Sequence, residues 1–280
     1  MGGFIAIKQN ELFGDYRLRE KICSGGLATI WLATDKAGRN YALRLLNNNF
    51  SITSSGPKMF RRGCEVMAKI KPHPNVIRYI KHGRKSGRSY MLLDYVEGAN
   101  LRTLMIQDSP LLHDSLSDLL VDMAGALAHV HGNSFMHLDF KPENLQISRG
   151  GTLMLCDFDT ALPIPDKPAK LPRKSGTPLY MPPEIAKGWE VDQRADIYSF
   201  AVTAYELVTR IKPFEGQSPQ EVLRNQLNPK YLIRRPRDLN PNVPVVLDSL
   251  LMKCLSFLPD QRYPFMAHVL RDLHKALGVR

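Results

Sequence analysis

The chain contains little cysteine and no paired cysteine motif. Its 280 residues include four cysteines, which are far apart and form no C-x-x-C pair: Cys23, Cys64, Cys156 and Cys254. This spacing argues against a zinc site or a disulfide framework, and it favours a reducing compartment. We therefore expect a cytoplasmic protein.

Long apolar runs are also missing. No segment approaches the roughly 18 uninterrupted apolar residues that a membrane span requires. The N-terminal sequence MGGFIAIKQN has only a short apolar stretch and no basic leader. We expect neither a signal peptide nor a membrane span. With 19 Gly, 20 Pro and 44% hydrophobic residues, the composition excludes collagen-like and disordered chains and predicts a globular fold.

Acidic residues are outnumbered by basic ones, 27 to 38, which gives a net charge of +11. Such a surplus favours nucleic acid, anionic membranes or acidic proteins as partners. The basic residues cluster in two segments: Lys167, Lys170, Arg173 and Lys174, and then Arg234, Arg235 and Arg237. Neither cluster contains interleaved aromatic residues. We expect no nucleic acid partner, and we favour an acidic protein.

Residues 16–96 follow a strand-like pattern that is interrupted by one helix. The predicted strands are YRLREKIC, TIWLAT, YALRLL, VIRYIKHG and SYMLLDYV, with glycine-containing turns between the first three. Apolar residues recur at helical spacing between the third and fourth strands, before the PHP run at 72–74: Met59, Val66, Met67 and Ile70. This pattern predicts an antiparallel sheet with one helix.

After Gly98 the pattern changes to long helices. One helix is predicted by apolar residues that recur every three or four positions: Leu116, Leu119, Leu120, Met123, Leu127 and Val130. Two more are predicted at ADIYSFAVTAYELVTR and VPVVLDSLLMKCL. The fold class is therefore α+β. We expect an extension at 1–11, a small lobe at 12–96 and a larger, mainly helical lobe at 97–280.

Two short segments in the helical part carry polar side chains that suit a metal and a phosphate. They are FMHLDFKPENLQI and LMLCDFDTA, which combine apolar β-prone residues with carboxylates, a lysine and an asparagine. Carboxylate and amide oxygens are the ligands that Mg²⁺ prefers. The alternative is that Asp139 and Asp157 are solvated loop acids.

At these segments the chain resembles the protein kinase superfamily, in particular the bacterial relatives of eukaryotic serine/threonine kinases. HLDFKPEN (137–144) resembles the catalytic loop, CDFD (156–159) the metal-binding motif, and GTPLYMPPE (176–184) the end of the activation segment. RADIYSF (194–200) resembles the start of a long buried helix, and Arg262 resembles the arginine that pairs with Glu184. These motifs occur in the family's order. The resemblance implies a bilobal fold with ATP in the cleft between the lobes.

The resemblance also implies a role for four polar side chains in these motifs. Asp139 would accept the proton of the substrate hydroxyl, and Lys141 would neutralise charge on the transferring γ-phosphoryl group. Asn144 and Asp157 would hold Mg²⁺ against the phosphates of ATP. A lysine two residues after the catalytic aspartate resembles a serine/threonine kinase, so the expected substrate is a protein hydroxyl.

By the same resemblance, a further set of residues would surround the nucleotide. The backbone of Gly25-Gly26 would face the phosphates, Ile22, Ile30 and Ala42 would cover the base, and Leu93 would lie behind it. The backbone of Asp94 and Val96 would border the base, and Asn100 would reach the ribose. The alternatives are a plain hairpin turn at the glycine pair and plain core at the apolar positions.

Two departures from the family pattern concern an ion pair. Arg44 stands where the strand lysine is expected, and its wide planar fork disturbs a geometry that suits a compact ammonium. Gly63 stands at the helix position that should supply the glutamate partner. Glu65 lies roughly 200° away around the helix, so we expect it to face outward near Lys69. A helix glycine costs about 1 kcal/mol relative to alanine.

Three smaller departures follow. Leu138 replaces the arginine before the catalytic aspartate, which removes a receptor for a phosphorylated activation segment. Asp159 replaces a glycine and would either add a metal ligand or repel phosphate. Gln146 replaces an aliphatic residue beneath the adenine ring. Two functions remain open: an atypical serine/threonine kinase with impaired transfer, and an inactive pseudokinase that binds or regulates partners.

Overall fold

A computed structural model describes residues 8–47, 55–172 and 176–278, and these residues divide into two compact units. The first unit holds the described residues up to 73, together with 77–97 and 157–159. The second holds 74–76, 98–156 and the described residues from 160 onward. The N-terminal stretch MGGFIAI and the basic residues Arg173 and Lys174 lie outside the described residues. The lobe boundaries at 12–96 and 97–280 stay predictions.

The first unit is an antiparallel sheet with one helix. Its elements are β1 (Leu12–Phe13), β2 (Tyr16–Ser24), β3 (Ala28–Thr34), β4 (Asn40–Leu46), α1 (Gly56–Met67), β5 (Tyr79–Lys85) and β6 (Arg88–Asp94). Among the described residues the sheet has six strands, in the order β1-β2-β3-β4-β6-β5. All five predicted strands are present. β5 begins three residues later than predicted because Val76 instead forms an isolated bridge with Leu155.

The strand register places two of the three predicted base-covering residues, Ile30 and Ala42, on one face of this sheet, whereas Ile22 lies at a register shift of β2 and is 45% exposed. Ile30 lies opposite Arg44, and Ala42 lies opposite Leu93. Because side chains alternate along a strand, these four residues share a face. The intervening positions form the core of the unit: Phe13, Leu18, Trp31, Ala33, Leu43, Leu45 and Leu92.

Helix α1 has the inward face that the sequence predicts. Pro57 lies in its first turn, where a missing backbone N–H costs nothing. Its buried positions follow a helical stripe: Gly56, Phe60, Gly63, Cys64, Val66 and Met67. Glu65 is exposed, as predicted, but it pairs with Arg61 at 3.5 Å rather than with Lys69. The predicted partner was wrong because α1 ends at Met67, two residues before Lys69.

The second unit is mainly helical. Its elements are β7 (Gly98–Asn100), α2 (Leu101–Ile106), α3 (Leu111–Asp114), α4 (Leu116–Gly132), β8 (Phe135–Met136), β9 (Leu145–Ser148), β10 (Leu153–Leu155), β11 (Leu162–Pro163), β12 (Ala169–Lys170), α5 (Pro183–Lys187), β13 (Glu190–Val191), α6 (Arg194–Thr209), α7 (Pro219–Gln226), α8 (Pro236–Leu239), α9 (Val245–Cys254) and α10 (Met266–Leu277). The predicted helices are α4, α6 and α9. The sequence analysis did not single out α10. The α+β fold class is therefore confirmed.

Helix α6 is the centre of the second unit. Fourteen consecutive residues, Ala195 to Val208, are buried, so this helix has no solvent face. A helix that is buried all round lies inside a core rather than on its surface. None of the helices in the described part of the chain is long and apolar enough to cross a membrane.

A buried ion pair ties the segment before α5 to the C-terminal part of this unit. Arg262 donates to both carboxylate oxygens of Glu184, at 2.6 and 2.9 Å, and both side chains are at most 2% exposed. Arg262 also donates to the carbonyls of Ser256 and Phe257. The pairing that the resemblance implied is thus present. The other N–H groups of Arg262 also have acceptors, since one donates to the carbonyl of Arg194.

Removal of Arg262 should be strongly destabilising. Arg262→Ala leaves the Glu184 carboxylate buried without its cation, which costs about 3–5 kcal/mol of unfolding free energy. Arg271→Ala is the control, because Arg271 pairs with Asp272 on the surface and such pairs contribute about 0–1 kcal/mol. Urea unfolding measures both. Equal losses would contradict the structural role of the buried pair.

Candidate active site

The segment 137–144 follows strand β8, and a buried aspartate of α6 holds its backbone. Leu138 has a φ of 64°, a left-handed conformation that costs a non-glycine residue about 1–2 kcal/mol. Asp196 accepts hydrogen bonds from the backbone N–H groups of His137 and Leu138, both at 2.8 Å. Two charge-assisted bonds offset this strain. The turn that aims Asp139 is therefore set from α6.

Asp196 is itself held in its ionised form. Burial alone would raise its pKa, but the hydrogen bond from His131 Nε2 at 2.9 Å and the backbone donors outweigh burial and keep the pKa below its usual range. The carboxylate is fully buried. An ionised acceptor is thus available for the backbone N–H groups of both His137 and Leu138.

The side chains of Asp139, Lys141 and Thr177 form a closed triangle. Lys141 Nζ lies 2.7 Å from Asp139 Oδ2 and 2.6 Å from Thr177 Oγ1. Thr177 Oγ1 donates to Asp139 Oδ1 at 2.8 Å. Both predicted catalytic residues are therefore together, at 14% and 19% side-chain exposure. Thr177 was not predicted as a site residue, although its position in the GTPLY motif was a usable signal.

Asn144 is fixed against the same aspartate. Its Nδ2 donates to the backbone carbonyl of Asp139 at 2.8 Å and to Oδ2 at 3.1 Å. Because the amide nitrogen faces Asp139, the amide oxygen is directed away from it. The carboxylate of Asp139 thus receives three side-chain donors, which hold it in one orientation.

In the first unit, Arg44 is paired with a carboxylate that the sequence analysis did not expect. Its Nη2 lies 2.7 Å from Asp159 Oδ2, and its Nη1 lies 3.2 Å from Asp159 Oδ1. The same Nη2 lies 3.3 Å from Asp157 Oδ1. Arg44 and Asp159 are buried. The guanidinium thus bridges two carboxylates of the CDFD segment.

Gly63 lies directly against Asp159. A Cβ at Gly63 would be 3.1 Å from the Asp159 Cα and closer still to its Oδ1. No side chain fits at this point of α1 while Asp159 keeps its position. The helix position expected to supply a glutamate instead provides the space for Asp159.

Burial and charge act in opposite directions on this pair. Burial raises the pKa of Asp159 to about 6, although Arg44 opposes the rise. For Arg44, burial alone would lower the pKa, but the charges of Asp157 and Asp159 outweigh it and raise the pKa. Arg44 therefore stays charged, and a charged guanidinium in the interior requires a carboxylate.

The residues predicted to surround the nucleotide fall in both units. Those in the first unit are Ile22, Gly25, Gly26, Ile30, Ala42, Arg44, Leu93, Asp94 and Val96, and those in the second are Asn100 and Gln146. Gln146 lies opposite Asn100 on neighbouring strands. Asn100 Oδ1 accepts from the Thr103 N–H at 2.9 Å, so it caps α2. Their contacts with ATP stay predictions.

A second charged network lies beside the catalytic loop. Arg102 donates to Glu143 at 2.9 Å and to both oxygens of Glu206, at 2.9 and 3.0 Å. Lys212 and Tyr180 also contact Glu206. Burial alone would raise the pKa of Glu206, but these three donors hold it below its usual range. Through Arg102 this network holds the side chain of Glu143, which lies between Lys141 and Asn144 in the sequence.

Comparison with known proteins identifies the family. The protein kinase domain family matches residues 16–272. The chain belongs to this family. A probable serine/threonine-protein kinase of Clostridium perfringens is 28% identical to it over 262 residues, which are 93% of this chain and 38% of that protein. The serine/threonine-protein kinase PknB of Mycolicibacterium smegmatis is 30% identical over 268 residues, which are 92% of this chain and 42% of that protein.

A third relative, the serine/threonine-protein kinase PknB of Mycobacterium leprae, is 29% identical over 265 residues. The match covers 92% of this chain and 42% of that protein. The chain thus spans about two fifths of the length of the curated relatives that it matches.

The dependence of the catalytic loop on Asp196 can be tested in this kinase domain. Asp196→Asn offers one acceptor oxygen where two backbone donors need one each, and an unsatisfied buried donor costs about 1–3 kcal/mol. Asp260→Asn is the control, because the Asp260 side chain is 91% exposed. Thermal unfolding of both variants measures the difference. A loss for Asp196→Asn no larger than for Asp260→Asn would contradict the role of Asp196.

Proposed function

We propose that this kinase domain transfers the γ-phosphoryl group of ATP to a serine or threonine hydroxyl of a protein, with reduced efficiency. The observation that carries the proposal is the triangle of Asp139, Lys141 and Thr177. It holds a carboxylate and an ammonium in fixed positions, as expected when positioning and electrostatics supply most of the catalysis. A solvated loop acid would not need three side-chain donors.

The proposed reaction is a single displacement. The substrate hydroxyl oxygen forms a bond to the γ-phosphorus, the bond from that phosphorus to the β,γ-bridging oxygen breaks, and ADP leaves with the electron pair. Asp139 accepts the proton of the hydroxyl. Lys141 offsets negative charge on the transferring group. The products are ADP and a phosphorylated protein.

Each of the two proposed ligands, Asn144 and Asp157, has an oxygen donor of the kind that Mg²⁺ prefers. Asp157 supplies a carboxylate that is 41% exposed, and the orientation of Asn144 leaves its amide oxygen directed away from Asp139. Hard oxygen ligands of this kind suit Mg²⁺, which keeps several waters and binds through few protein ligands plus phosphate. The proposal therefore assigns Asn144 and Asp157 to Mg²⁺, which would neutralise phosphate charge.

A pseudokinase is the second candidate, and one specific contact favours it. Arg44 Nη2 lies on Asp157 Oδ1 at 3.3 Å, so the arginine expected to serve ATP is engaged by both carboxylates of the CDFD segment. A guanidinium held by two carboxylates has fewer N–H groups left for phosphate. The enzyme is proposed first because Asp139, Lys141 and Asn144 keep a defined geometry.

We propose that the partner is a protein substrate and that its surface is acidic. Arg234 pairs with Glu215, and Arg235 pairs with Asp248. Internal carboxylates thus already offset two charges of the second basic cluster. Lys167 and Lys170 of the first cluster are the better candidates for an acidic surface. The cytoplasmic location predicted from the cysteines is likewise part of the proposal.

The first test is a thermal-shift titration with ATP, with and without Mg²⁺. A specific ligand raises apparent stability by RT ln(1 + [L]/Kd), or about 2.7 kcal/mol at one hundred times Kd. We expect a Mg²⁺-dependent rise that is lost in Asp157→Ala. No shift at millimolar ATP would contradict both nucleotide binding and transfer.

The second test separates the enzyme from the pseudokinase. Transfer of labelled phosphate to the chain itself or to a generic protein substrate should be measurable, and Asp139→Asn should reduce it by 10²-fold or more. Asp139→Asn should still give the thermal shift with Mg²⁺ and ATP, because Asp139 does not contact ATP in the proposal. Binding without any transfer in the unchanged chain would favour the pseudokinase.

A further inference from the structure

Asp159 stands where the kinase motif usually has glycine. Its carboxylate is held by two guanidinium nitrogens of Arg44, at 2.7 and 3.2 Å. One of these nitrogens, Nη2, also lies on Asp157 Oδ1. The three side chains thus form a chain of contacts in which the position of Asp159 determines where the guanidinium sits on Asp157.

The backbone reinforces this arrangement. The Asp159 N–H donates to Asp157 Oδ1 at 3.4 Å, and Asp157 has a φ of 62°, which is strained for a non-glycine residue. The oxygen Oδ1 of Asp157 therefore receives both Arg44 and the Asp159 backbone. These contacts fix the carboxylate of a residue in a strained conformation.

The space for Asp159 comes from the helix. Gly63 has no side chain, and any Cβ there would enter the volume of the Asp159 carboxylate. The helix position that the resemblance assigned to a glutamate therefore carries no side chain, and Arg44 is paired instead with a carboxylate of the CDFD segment.

We propose that Asp159 is a positioning residue which, through Arg44, fixes the Asp157 carboxylate for Mg²⁺-ATP, and that Gly63 is required to admit it. This inference rests on the proposed function, because the position of Asp157 matters to ligand binding only if the site takes Mg²⁺-ATP. Asp159 here does what the resemblance assigned to a glutamate on α1.

The first experiment tests the spatial part without any nucleotide. The thermal midpoint is measured for Gly63→Ala, for Asp159→Gly and for the double variant. Gly63→Ala should lower the midpoint by several degrees in the unchanged chain, because the new methyl group meets Asp159 Oδ1. On the Asp159→Gly background the same change should lower it by less than half as much. Equal effects on both backgrounds would overturn the inference.

The second experiment tests the positioning role by nucleotide affinity. Asp159→Asn keeps the shape of the side chain but removes the charge that holds Arg44, and it should weaken Mg²⁺-ATP binding about tenfold, or about 1.4 kcal/mol. The transfer rate at saturating Mg²⁺-ATP should change less than the KM. Glu65→Gln is the matched control: it removes an exposed carboxylate of α1 that pairs with Arg61, and it should leave the affinity unchanged.

A rescue variant separates positioning from mere loss of folding. Gly63→Glu with Asp159→Gly returns a carboxylate to Arg44 from the helix side, and it should recover most of the affinity lost in Asp159→Gly. Unchanged affinity in Asp159→Asn, or no recovery in the rescue variant, would overturn the inference. If the unchanged chain itself binds no Mg²⁺-ATP, the proposed function fails and the role of Asp159 toward Asp157 fails with it, whereas the thermal cycle still reports on the Gly63–Asp159 contact.

Discussion

The first unit depends on the buried ion pair between Arg44 and Asp159. A guanidinium this deeply buried must have a carboxylate partner, since an unpaired interior charge costs several kcal/mol. Strand β4 places Arg44 on the face of the sheet that also carries Ala42, with Ile30 and Met91 as its cross-strand neighbours. The partner then has to come from a neighbouring element. Asp159 meets this requirement, and the absent side chain at Gly63 makes room for it.

The second unit also contains a buried charge that needs polar partners, but there the partners include backbone N–H groups. There one of the buried charges is the carboxylate of Asp196, and its partners are His131 and the backbone N–H groups of His137 and Leu138. The strained turn at Leu138 is held from the centre of the core rather than from the surface. The position of Asp139 therefore depends on hydrogen bonds that the preceding backbone donates to Asp196 of α6. In both units a buried carboxylate determines where the polar side chains of the candidate site lie.

Much of this was predictable from the sequence, because periodicity marks strands, helices and their inward faces. The inward position of Gly63 and the outward position of Glu65 followed from the face of α1. The Arg262–Glu184 pair was implied by the resemblance to protein kinases. The partner of Arg44 was not predictable, since periodicity says nothing about contacts between residues 115 positions apart. A double change that puts the family's lysine and glutamate at these positions, Arg44→Lys with Gly63→Glu, would place a side chain in the volume of Asp159 unless Asp159 is also removed.

The central claim is that the carboxylate of Asp159 stabilises the buried guanidinium of Arg44. A double-mutant cycle on the free energy of unfolding, with Arg44→Met, Asp159→Asn and both together, measures this most directly. Each single change should destabilise the chain, and the double change should cost less than their sum by about 1–3 kcal/mol. Additivity within about 0.5 kcal/mol would contradict the account, because residues that do not interact behave in that way.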